Sequence, residues 1–99
     1  MADPIIHLTL HAPPGPPRRI PLALGVYPIG SDARNRIPLP AAGITDRHAI
    51  LTVNPTDCWI EDLKSDQGTL LEGRPVRGRG AWKAGQAVII GPYTLTWSP

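Results

Sequence analysis

The groups able to do chemistry in this chain are few: one thiol, three imidazoles and two clusters of arginine. Cys58 could act as a nucleophile only with a base in reach and a depressed pKa, and it lies instead in the apolar run Cys58-Trp59-Ile60. It reads as a buried structural thiol. His7 and His11 are four apart, a spacing that would pair them on one face of a helix as metal ligands, yet they alternate with Ile6, Leu8 and Leu10 as a strand does. No third ligand stands near them, so no metal site is expected. His48 stands alone on the polar side of a strand-like run, and a hydrogen-bonded structural role is expected for it rather than a catalytic one. Arg34, Arg36 and Arg47 form one basic group and Arg74, Arg77 and Arg79 another. Either could meet a phosphate. A net charge of +2 and the lack of aromatic residues interleaved with the arginines argue against a nucleic-acid partner, and solvated loops are the expectation.

The chain that must position these groups is 99 residues long, with 10 Lys and Arg against 8 Asp and Glu. That length holds one domain, taken as residues 1–99, with one modest core and no room for a large substrate cavity. The single cysteine forms no internal disulfide, and no signal pattern opens the sequence, so an intracellular, cytoplasmic protein is expected. The longest uncharged stretch, residues 84–99, is broken by Gly85, Gly91 and Pro92 and falls short of the roughly 18 apolar residues of a membrane span. No membrane partner and no cofactor are expected.

Thirteen prolines leave only residues 41–54, 56–74 and 76–91 long enough for a helix, and each reads better as short β segments between turn residues. Ile6, Leu8 and Leu10 share one face of a first strand, opposite His7, Thr9 and His11. A second strand spans 48–53, and a closing hairpin pairs 86–90 with 93–97 around Gly91-Pro92. Shorter strands fit at 26–29, 37–39, 58–63 and 69–71. Such spacing predicts an all-β sandwich. The proline-rich segment 12–17 reads as a stiff hairpin loop that could also serve a proline-reading partner.

One ordered series rises above this background: Gly30 to Leu39 (GSDARNRIPL), Ile44 to Ala49 (ITDRHA), Asp62 to Thr69 (DLKSDQGT) and Ile90-Gly91. It resembles the forkhead-associated (FHA) domain, whose pattern runs Gly-Arg, Asn-x-Ile-x-Leu, Ser-x-x-His-Ala, Asp-Leu-x-Ser-x-Asn-Gly-Thr and Ile-Gly. Gly30, Asn35, Ile37, Leu39, His48, Ala49, Asp62, Leu63, Ser65, Gly68, Thr69 and Gly91 match in register. The resemblance implies a sandwich of about eleven short, mostly antiparallel strands in two sheets. It also implies a non-catalytic module that binds phosphothreonine peptides through the loops at one end, in the setting of kinase signalling.

Within that resemblance, Gly30, His48, Ser65 and Gly68 would be the scaffold of the binding loops. The phosphate-reading half is altered. Ser31 stands where the family has arginine, so the bidentate guanidinium contact is missing there. Thr45 keeps the hydroxyl of the family's serine, Asp46 follows it, and Asp66 and Gln67 precede Gly68. Gln67 carries the amide of the family's asparagine one methylene further out. Two carboxylates would oppose a dianion, while Arg34, Arg36 and Arg47 could offset them. The implied partner surface is therefore Ser31, Arg34, Arg36, Thr45, Asp46, Arg47, Asp66 and Gln67. The expected function is a protein-interaction module with phosphothreonine recognition lost or altered. The alternatives are a working phosphothreonine binder and an assembly module acting through a sheet face or edge, with the oligomeric state left open.

Overall fold

The computed structural model describes residues 3–99, and the apolar alternation read from the sequence builds strands throughout them, with no helix among the described residues. There are eleven: β1 (Ile6–His11), β2 (Arg18–Leu22), β3 (Gly25–Gly30), β4 (Ile37–Pro38), β5 (Ala49–Val53), β6 (Cys58–Asp62), β7 (Leu70–Leu71), β8 (Arg74–Pro75), β9 (Arg79–Ala81), β10 (Val88–Ile90) and β11 (Tyr93–Ser98). They form two sheets, ordered β2-β1-β11-β10-β7-β8 and β4-β3-β5-β6-β9. Every pair is antiparallel except β3 with β4.

Period-two alternation decides which residues meet between the sheets. Ile6, Leu8 and Leu10 of β1, Val88 and Ile90 of β10 and Leu95 of β11 face Tyr27 and Ile29 of β3, Ala49, Leu51 and Val53 of β5, and Cys58 and Ile60 of β6, in one core. Trp82 fills the end of that core away from His48, donating its Nε1–H to Gln86 O at 2.9 Å and accepting at its own carbonyl from Trp97 Nε1. A buried indole with a satisfied N–H packs at no polar cost.

The sequence-read strands at 6–10, 26–29, 37–39, 58–63 and 69–71 and the closing hairpin all stand within a residue or two of their places. Arg74 and Arg79, expected in a solvated loop, lie instead in the short strands β8 and β9, and Arg79 stacks over the Trp59 ring at 4.6 Å. Pro21, Pro38 and Pro75 lie in strands because β2, β4 and β8 are sheet margins, where a missing donor need not break a ladder. Segment 12–17 does join β1 to β2 as a hairpin loop. Gly15 N–H donates to Ala12 O at 3.2 Å and the His11 ring lies 3.1 Å from Gly15 O, so the segment turns rather than presenting the extended run a proline-reading domain takes.

The register brings the β3–β4, β4–β5 and β6–β7 loops to one end of the sandwich, because Ile29 pairs with Ala49 and Ala49 with Asp62. Leu51 is wholly buried in the central strand of its sheet, so Leu51→Ala should cost about 2–5 kcal/mol in chemical denaturation. Val26→Ala, at a side chain 52% exposed on the neighbouring strand, should cost under about 1 kcal/mol.

Candidate functional site

His48 links the loops of this end. Strand β5 begins at Ala49, so His48 is not on the polar side of a strand as the sequence implied; the chain bends before β5 and carries the ring inward, fully buried. All four of its polar groups have backbone partners. Its N–H donates to Ile29 O at 2.8 Å and its carbonyl accepts from Leu63 N–H at 3.0 Å. Thr45 N–H donates to Nδ1 at 3.2 Å, which leaves the proton on Nε2, and Nε2–H donates to Gly68 O at 2.8 Å. One residue thus joins β3, the β4–β5 loop and the β6–β7 loop, its ring tying the two loops and its backbone tying β3.

The β6–β7 loop is tied from within by Asp62. Its Oδ1 accepts from Ser65 Oγ at 2.6 Å and from Thr69 Oγ1 at 2.8 Å, and its Oδ2 accepts from Ser65 N–H at 3.2 Å. Ser65 Oγ in turn accepts from Gly68 N–H at 3.0 Å, with Gly68 at φ +83°, a conformation that excludes most side chains. Burial pushes the Asp62 carboxyl up, but the Ser65 and Thr69 hydroxyls and the Ser65 N–H outweigh it, with His48 adding to them, and hold it below the usual aspartate range.

Gly30 fixes the third loop. A Cβ there would collide with the backbone carbonyl of Asp46, and the same carbonyl accepts from Asn35 Nδ2 at 2.6 Å. Asn35 Nδ2 also donates to Asp32 O at 2.9 Å, so this one amide closes the β3–β4 loop and fastens it to the β4–β5 loop.

The sequence-derived residues divide into two groups. At the crown of the loops, Ser31 Oγ donates to Asp46 Oδ1 at 3.2 Å, and Asp66 N–H donates to Thr45 Oγ1 at 3.0 Å. The Gln67 amide lies over Gly43, close enough that a Cβ there would have to push it aside. The arginines point elsewhere. Arg34 chelates Asp32 through Nε and Nη2, at 2.7 Å for the shortest contact, and its backbone N–H donates to the same carboxylate at 2.9 Å. These donors hold Asp32 down to about 2 and raise Arg34 in return. Arg36 stacks 4.2 Å over the Tyr27 ring and donates from Nη1 to Val26 O at 3.2 Å. Among the described residues, none of Arg34, Arg36 and Arg47 forms an ion pair with Asp46 or Asp66. The offset of those carboxylates expected from the sequence is therefore not made by contact. Asp32 was missed as Arg34's partner, although the Asp-x-Arg spacing in a turn-rich loop signals it.

Cys58 is buried at the opposite end of β6 from Asp62, and burial, with Asp57 beside it, pushes its thiol up to about 11. A thiol so placed is a poor nucleophile.

The FHA domain family model matches residues 27–91 of the chain. The fold is similar to that of the FHA domain of the CT664 protein from Chlamydia trachomatis, 27% identical with a TM-score of 0.88 over 95% of this chain and 96% of that one. It is also similar to Mycobacterium tuberculosis EmbR in complex with a low affinity phosphopeptide, 25% identical with a TM-score of 0.81 over 93% of this chain and 24% of that one. A third likeness is to the FhaA FHA domain complexed with the intracellular domain of Rv3910, 24% identical with a TM-score of 0.80 over 92% of this chain and 99% of that one. No match was found among curated proteins.

His48→Ala strands the Thr45 N–H and the Gly68 carbonyl and leaves a cavity, so it should cost about 2–4 kcal/mol in denaturant unfolding. Asp62 adds a pH dependence whose sign follows from its lowered pKa. Its contribution is full above the unfolded aspartate value of about 4 and is lost as pH falls through the folded one. Asp62→Asn should therefore lose about 1–2 kcal/mol at pH 7, and its stability should fall less steeply than wild type below about pH 4 in acid titrations followed by circular dichroism.

Proposed function

The chain belongs to the FHA domain family, and from that premise we propose that it is a non-catalytic protein-interaction module whose crown no longer reads phosphothreonine. One observation carries the reading: Ser31 and Asp46, which flank the place where the family binds a phosphate, bond to each other at 3.2 Å. A serine there is short and neutral where a guanidinium fork would chelate a dianion, and its hydroxyl is already engaged by a carboxylate. Asp46 and Asp66 are both exposed at the crown, and a dianion brought against them meets like charge. Gln67, the counterpart of the family's peptide-holding asparagine, is turned onto Gly43.

The partner surface we assign is made of Ser31, Arg34, Arg36, Thr45, Asp46, Arg47, Asp66 and Gln67, held on Gly30, His48, Ser65 and Gly68. Two neighbours support a protein-binding role, since one is in complex with a low affinity phosphopeptide and the other with the intracellular domain of another protein. A protein partner in the cytoplasm fits this reading. No helix among the described residues is long and apolar enough to cross a membrane.

Calorimetric titration with a degenerate phosphothreonine peptide pool should give no more heat than its unphosphorylated twin. Binding of the phosphorylated pool alone, weakening with salt, would restore the signalling reading. Ser31→Arg combined with Asp46→Asn and Asp66→Asn should create phosphate-dependent binding, at least about tenfold tighter than to the unphosphorylated twin. If the triple variant gains nothing, the crown is not a degenerate phosphate pocket.

A further inference from the structure

Beside the crown, the β3–β4 loop and Arg47 enclose an open cavity of about 330 Å³ lined by Pro28, Asp32, Arg34, Asn35, Arg36 and Arg47. Its charge is opposite in sign to the crown's. Three guanidinium groups border it against one carboxylate, and that carboxylate is chelated by Arg34. Neither Asp46 nor Asp66 is part of the lining, so the repulsion that opposes an anion at the crown is weaker here.

The arginines differ in what they have left to give. Arg36 is ordered by the Tyr27 ring and by the Val26 carbonyl, which takes one Nη1–H. A guanidinium fixed in this way loses little side-chain freedom on binding and keeps further donors for an oxyanion. Arg47 makes no hydrogen bond or ion pair to any other described residue and is exposed at the rim. Asn35 is spent, its amide nitrogen already donating to two carbonyls, and it serves as wall. Pro28 offers an apolar surface on which a methyl or methylene group can rest.

We propose that this cavity binds the carboxylate of an acidic partner side chain, held by Arg36 and Arg47. The proposal deepens the assignment of the loop end as a partner surface and rests on it, but it places the charge-reading contact off the crown.

The test is an NMR titration of the 99-residue protein with acetate, against chloride at matched ionic strength. The amide signals of Asp32 to Arg36 and of Arg47 should move and saturate, while Thr45, Asp66 and Gln67 stay still. Arg47→Ala, which removes no contact within the fold, should weaken the response about tenfold. A peptide with a central glutamate should then move the same amides and its glutamine twin should not; a phosphothreonine counterpart that alone moved them would overturn the assignment to a carboxylate. Shifts that never saturate, that chloride reproduces, or that survive Arg47→Ala unchanged would overturn the proposal. A protein partner that moves only crown signals would refute the cavity and leave the broader interaction reading standing.

Discussion

The loop end of this protein depends on one buried histidine, its ring and its backbone together. His48 is the point at which β3 and two loops are held at fixed distances, through four hydrogen bonds that each end on backbone. Because those partners are main-chain groups, the bracket is indifferent to the side chains the loops display. The Asp62 carboxylate performs the same office within its own loop, gathering two hydroxyls and an N–H. Both devices lie beneath the surface a partner would touch. That separation explains how Ser31, Asp46 and Gln67 can depart from the family's binding residues while the frame around them persists.

The charge pattern follows from the same frame. Asn35 holds the Asp46 carbonyl against Gly30, which sets the Asp46 side chain beside Ser31. Arg34 is drawn to Asp32 within its own loop and Arg36 is carried down the open margin of β3 onto Tyr27, where β4 is too short to cover it. The two signs are thereby sorted onto neighbouring surfaces, with carboxylates at the crown and guanidinium groups beside it. A single pocket with everything pooled would neutralise itself; this arrangement keeps both signs available.

The fold was legible in the sequence wherever period-two alternation ran for several residues, as in β1, β5 and the hairpin of β10 and β11. It was not legible in β8 and β9, two or three residues long, whose arginines and glycines carry no burial signal; pairing with neighbouring strands makes them strands. The ordered motifs singled out Gly30, His48, Ser65 and Gly68, residues that close approach or hydrogen bonds tie to the loop backbones. The direction of its ring was misread, because strand parity applies only after the chain has straightened at Ala49. Side-chain direction was also the limit for the arginines. Spacing placed Arg34, Arg36 and Arg47 in adjoining loops, but which way each points is decided by Asp32 and Tyr27, contacts that alternation does not encode.

The prolines at the sheet margins have a further consequence. Exposed strands can template the addition of another chain, and repeated addition leads to fibrils. Here β2 carries Pro21 beside Arg18 and Arg19, β8 carries Pro75 beside Arg74, and β4 is two residues long and ends in Pro38. Each of those margins offers an incoming strand a gap in the ladder, a like charge, or too little length to hold. At these three margins the sheets are thus guarded against growing into one another.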